Sequence, residues 1–115
     1  MKATIYYNPQ CSKSRGALEL LQERGIATEV VEYLKTPPDH ATLEHLLRLL
    51  AIGPRQLLRT GEAEYKALGL GDPALGDAQL LDAMIAHPKL IERPIVVIGN
   101  KAVIGRPPEK VLDLL

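Results

Sequence analysis

Two β-rich ends enclose a middle in which apolar residues recur at helical spacing, and that order permits few folds. At the N-terminal end, Lys2 to Tyr7 reads as a strand. Ser12 to about Arg24 reads as a helix with Ala17, Leu18, Leu20 and Leu21 on one side, closed by Gly25 as a C-terminal cap. Thr28 to Leu34, rich in β-branched residues, reads as a second strand. Such a β-α-β unit has parallel strands and a right-handed connection. At the other end, Pro94-Ile95-Val96-Val97-Ile98 reads as a buried strand and Gly99-Asn100 as a two-residue hairpin turn. Lys101 to Ile104 is the returning strand, and Pro107 or Pro108 can open a final helix through Leu115.

The middle is helical. Asp39 suits the N-cap of a helix from about His40 to Ala51, whose apolar stripe is Leu43, Leu46, Leu47 and Leu50. Gly53-Pro54 breaks it, a helical turn is expected around Glu62 to Leu68, and Gly69 to Pro73 is a loop. Asp77 is expected to cap another helix that ends near Ala86, before His87-Pro88. A β-α-β half followed by a β-β-α half is the thioredoxin core arrangement. The expected fold class is therefore α/β and thioredoxin-like, with a helical insertion between the halves over about residues 37–90. The 115 residues suffice for a single domain with one core, not comfortably for two.

Charge narrows the function classes. Fourteen basic and fourteen acidic side chains cancel, so nothing global points to nucleic acid or to an acidic membrane surface. No apolar run is long enough for a membrane span, and no secretory leader is apparent, so no membrane partner is expected. A single cysteine cannot make an internal disulfide, and a reducing, cytoplasmic location is the expectation. A monomer is expected. His40 and His45 are five apart, which does not place two ligands on one helix face, so no metal site is expected.

That one cysteine, Cys11, is the candidate nucleophile. A lone cysteine is more often a small buried hydrophobe. Here Pro9 ends the strand, and the polar run Ser12-Lys13-Ser14-Arg15 argues against an apolar pocket. A thiol at a strand-to-helix turn faces the positive end of the helix dipole and unpaired N–H groups, with Lys13 and Arg15 in the next turn. These factors favour the reactive thiolate and equally suit a bound oxyanion. In thioredoxin-like folds this junction faces the residue before a cis-proline that begins the third strand. Pro94 falls in that place, so a cis Arg93–Pro94 bond is expected, with Arg93 projecting toward Cys11. Arg106, between Gly105 and Pro107, and Arg59, closing Leu57-Leu58-Arg59, are further candidates. Any one of them alone is more often a solvated charge. Together they could form a tripod that holds a tetrahedral oxyanion through forked hydrogen bonds.

Four ordered motifs carry a family resemblance: Asn8-Pro9-Gln10-Cys11-Ser12-Lys13-Ser14-Arg15, Leu57-Leu58-Arg59, Arg93-Pro94-Ile95-Val96-Val97 and Gly105-Arg106-Pro107. With Tyr65 to Leu70 and His87-Pro88, the chain resembles the glutaredoxin-dependent arsenate reductases, the ArsC family, over nearly its whole length. The resemblance implies that Cys11 is the nucleophile and that Arg59, Arg93 and Arg106 bind the oxyanion. It implies reduction of arsenate to arsenite through a Cys11 thiol–arsenate ester, with glutathione as co-substrate, glutaredoxin as partner and no bound cofactor. Tyr7 and Ser12 depart from the histidine and glycine common there, which leaves thiol activation to the helix terminus, Arg15 and the three arginines. Ser14 stands where a dithiol enzyme has its resolving cysteine, and it either donates to Cys11 or serves as a polar helix-start residue. Two alternatives stay open. One is reduction of another oxyanion or of glutathione mixed disulfides. The other is a regulator of the Spx type that binds RNA polymerase, although that branch commonly carries Cys-X-X-Cys where this chain reads Cys11-Ser12-Lys13-Ser14.

Overall fold

A computed structural model describes residues 1–115, and the chain divides into two compact units. The first comprises Met1–Thr36 and Arg93–Leu115; the second is Pro37–Glu92.

The first unit is built on a four-stranded sheet in the order β2-β1-β3-β4. Strand β1 (Lys2–Tyr7) leads into helix α1 (Ser12–Glu23), which returns through Gly25, at φ 71°, to β2 (Ala27–Glu32). β1 and β2 are parallel, as the crossover requires. β3 (Ile95–Ile98) lies antiparallel to β1, and β4 (Lys101–Ile104) folds back on β3 across Gly99, which takes a positive φ of 61°. Alternation sends Ala3 and Ile5 of β1 to one face, where they are fully buried with Val96 of β3. Ala17 and Leu21, one helical turn apart on α1, close over them. Val111 and Leu114 complete this core from the C-terminal segment Pro108–Leu114.

That segment is a 3-10 helix, not the α-helix expected from Pro107 or Pro108. Its spacing explains the difference. Val111 and Leu114 are three residues apart, so a helix with three residues per turn stacks both against the sheet. The bonds from the Lys110 N–H to the Pro107 carbonyl and from the Leu115 N–H to the Leu112 carbonyl have that spacing.

The second unit is helical. Asp39 caps α2 (His40–Leu50) as expected, its Oδ1 accepting the Thr42 N–H at 2.8 Å. The short helices α3 (Pro54–Leu57) and α4 (Ala63–Ala67) follow, then α5 (Asp77–Ala86) and one 3-10 turn at Pro88–Leu90. α5 packs against α2, α3 and that turn, with Leu80, Leu81 and Met84 buried. Gly76, not Asp77, is the N-cap of α5, and the Gly76 N–H donates to Gln79 Oε1 at 2.8 Å. Asp77 stands in the first turn instead, where a carboxylate favours the helix dipole. An isolated antiparallel bridge joins Leu58 to Ile91. The Arg59 N–H donates to the Leu90 carbonyl at 2.7 Å, and the Glu92 N–H to the Leu57 carbonyl at 2.9 Å. No helix is long and apolar enough to cross a membrane.

Candidate active site

Cys11 is the N-cap residue of α1, with extended φ and ψ of −97° and 119°. The loop that presents it is organised by Asn8, which is 8% exposed. The Cys11 N–H donates to the Asn8 carbonyl at 3.0 Å, and the Gln10 N–H donates to Asn8 Oδ1 at 3.0 Å. The Asn8 N–H in turn donates to the fully buried Ser14 Oγ at 3.3 Å. With its oxygen accepting from Asn8, the Ser14 hydroxyl is left to donate its own proton.

It does so toward the sulfur. Partial burial pushes the Cys11 thiol up. Against this act hydrogen bonds from the Ser14 backbone N–H, the Arg93 side chain, the Ser14 hydroxyl and the Lys13 backbone N–H. The balance lowers the thiol from 9.0 to about 7. A substantial share of it is therefore thiolate at neutral pH. Lys13 acts here through its backbone, not its ammonium group. Arg15, expected to aid the thiolate, spends its Nη1 on the Pro9 carbonyl at 2.9 Å and so braces the loop.

Arg93 reaches the sulfur as expected, and the Arg93–Pro94 bond is cis. The Arg106–Pro107 bond is also cis, which the sequence reading did not anticipate. Arg106 Nη1 donates to the Arg93 carbonyl at 3.2 Å, tying the second guanidinium to the residue that bonds the thiolate. Gly105 is buried beside them, and a Cβ there would stand 3.0 Å from Pro94 Cγ and 3.4 Å from Val111 Cγ1. The N-terminal loop, the start of β3 and the end of β4 thus bring together Cys11, Ser14, Arg93, Pro94 and Arg106. Tyr7 packs partly buried against the apolar core.

Arg59 belongs to the second unit and has partners of its own. Its Nε donates to Glu62 Oε1 at 3.3 Å, and its Nη1 lies 3.5 Å from Glu92 Oε1. The three side chains are only 21%, 26% and 25% exposed for Arg59, Glu62 and Glu92. Nη1 is buried and makes no hydrogen bond. Neither carboxylate was singled out from sequence. The spacing of Arg59 and Glu62 on a turn could have revealed one, whereas Glu92 is 33 positions on and left no local signal.

The first unit thus offers a partly ionised nucleophile hydrogen-bonded by a guanidinium at a helix N-terminus, a setting that attacks electrophiles and tolerates anions. The chain is similar to known proteins over nearly its whole length. A protein of Escherichia coli strain K12 described as uncharacterized, YfgD, is 54% identical over 96% of this chain and 94% of its own length. An arsenate reductase of Neisseria meningitidis is 50% identical over 96% of each chain. The solved structure of an arsenate reductase from Vibrio cholerae superposes with a TM-score of 0.97 at 50% identity, covering 100% of this chain and 98% of that one. The sequence model of the ArsC family matches residues 6–114, so that a thioredoxin-like sheet, a reactive-cysteine loop and nearly the full chain length all agree, and the protein belongs to the ArsC family.

Proposed function

We propose that this protein is an arsenate reductase that draws its reducing power from glutathione and glutaredoxin. The observation that carries this reading is the Cys11 thiol, brought to about 7 by Ser14, Arg93 and Lys13. Arsenate binds against Arg93, Arg106 and Arg59, whose charges offset its repulsion of the thiolate. The Cys11 thiolate attacks arsenic; one arsenate oxygen takes up protons and leaves as water, giving a thiol–arsenate ester. Glutathione thiolate then attacks the Cys11 sulfur. The electron pair of the S–As bond stays on arsenic, which falls from As(V) to As(III) and leaves as arsenite, and a Cys11–glutathione disulfide remains. Glutaredoxin reduces that disulfide.

The cysteine count supports the need for an outside thiol. Cys11 is the only cysteine, and Ser14 at the resolving position is buried and hydrogen-bonded. The test is arsenate-dependent NADPH oxidation coupled through glutathione reductase, with glutathione and glutaredoxin supplied, for wild type and Cys11→Ser side by side. Wild-type turnover with none from Cys11→Ser is the expected result. Equal turnover with thioredoxin alone would contradict the external-thiol scheme. No turnover of arsenate by a folded wild type whose Cys11 alkylates rapidly would turn the reading toward another oxyanion or a mixed disulfide.

A further inference from the structure

Arg59 has its charge answered within its own unit. Its guanidinium carries one positive charge, and Glu62 and Glu92 bring two negative charges to within 3.3 and 3.5 Å. At about one-quarter exposure none of the three is well screened by water. A purely structural ion pair at this burial is expected to have its donors satisfied. This one does not: Nη1 is buried, faces Glu92 within ion-pair range and makes no hydrogen bond. Backbone pairing fixes the geometry from both sides, through the Leu58–Ile91 bridge and the bonds of Arg59 to Leu90 and of Glu92 to Leu57.

We infer that Glu62 and Glu92 are positioning residues that hold Arg59 in place and set the strength of the oxyanion site by opposing its charge. The inference rests on the reading of Arg59 as an oxyanion ligand. An oxyanion that recruits Arg59 must share it with two carboxylates that repel the oxyanion. The clamp therefore weakens the hold on tetrahedral anions such as phosphate, which matches arsenate in shape and charge. Glutamine in place of either glutamate keeps an acceptor for the guanidinium and removes the opposing charge.

The test measures protection of Cys11 from iodoacetamide by phosphate and by arsenate, together with arsenate KM and kcat, for wild type, Glu62→Gln, Glu92→Gln and Arg59→Ala. Each glutamine variant is expected to lower both protection constants about threefold or more, and to lower KM more than it changes kcat. Arg59→Ala is expected to raise the same constants. Glutamine variants that leave protection unchanged or weaken it, while Arg59→Ala also weakens it, overturn the role of the carboxylates and leave the site reading intact. Protection unaffected by Arg59→Ala overturns the premise itself. Because protection is read without turnover, neither outcome depends on the enzyme reducing arsenate.

Discussion

The two units handle positive charge in opposite ways. In the sheet unit, Arg93 hydrogen-bonds the Cys11 sulfur and Arg106 donates to the Arg93 carbonyl. In the helical unit, Arg59 is paired with Glu62 and Glu92. The sheet unit is arranged to create a thiolate, and Arg93 acts directly on that sulfur. The helical unit holds its cation between two carboxylates. A cation bonded to a titratable group shifts that group's equilibrium, whereas a cation held by carboxylates acts elsewhere only when its partners give way.

The largest expected effect breaks the comparison at its root. Cys11→Ser should cost roughly 10³-fold or more in arsenate turnover, as loss of a covalent nucleophile does. Arg93→Ala comes next, because it removes both a hydrogen bond to the thiolate and a cation. Turnover should fall on the order of 10²-fold. The midpoint of Cys11 alkylation against pH should move up from about 7. If that midpoint stays where it is, the sheet unit does not make its thiolate through Arg93.

A smaller effect separates geometry from charge. Gly105→Ala adds no charge, but its Cβ would stand 3.0 Å from the Pro94 ring and 3.4 Å from Val111. Overpacking of this kind costs about 1–3 kcal/mol. Urea unfolding should show that loss. The alkylation midpoint should rise with it if the Pro94 ring positions Arg93, and it should stay fixed if only core packing suffers.

Much of this was legible in the sequence, and the exceptions have physical causes. Strand β1, helix α1 and the cap Asp39 lie where periodicity and capping chemistry put them, because each depends on residues within one turn or one pleat. Cys11 and Arg93 were legible as a pair through the order of elements. Local pattern did not carry the finer geometry. Helix α2 closes at Ala51 as expected, but the left-handed φ of 57° there is not legible from a residue with a Cβ. Arg15 reads as a cation beside a thiol, but nothing in its spacing reveals that the Pro9 carbonyl is within reach. Glu92 was invisible because its partner is distant in the chain and the two meet only through the Leu58–Ile91 bridge.

The smallest expected effect compares the two units by pH. In the sheet unit the folded thiol lies at about 7, below its ordinary value of 9.0, so ionisation stabilises the fold. That contribution is full above the ordinary value and is lost as pH falls through 7. In the helical unit His40 links α2 to α5, its Nε2 2.7 Å from Asp82 Oδ1 and its Nδ1 3.5 Å from Glu44 Oε1. The hydrogen bond to Asp82, then that to Glu44, raise the imidazole above its ordinary 6.5. Its contribution is therefore full below that value and is lost as pH rises through the raised one. Thermal midpoints of wild type, Cys11→Ser and His40→Gln at acid and alkaline pH read both signs. The deficit of Cys11→Ser relative to wild type should grow as pH rises from 6 toward 9, while that of His40→Gln should shrink. Because His40 is exposed, its effect should be the weaker of the two. Deficits that move in the same direction would mean that the lowered thiol and the raised imidazole do not govern how each unit responds to protons.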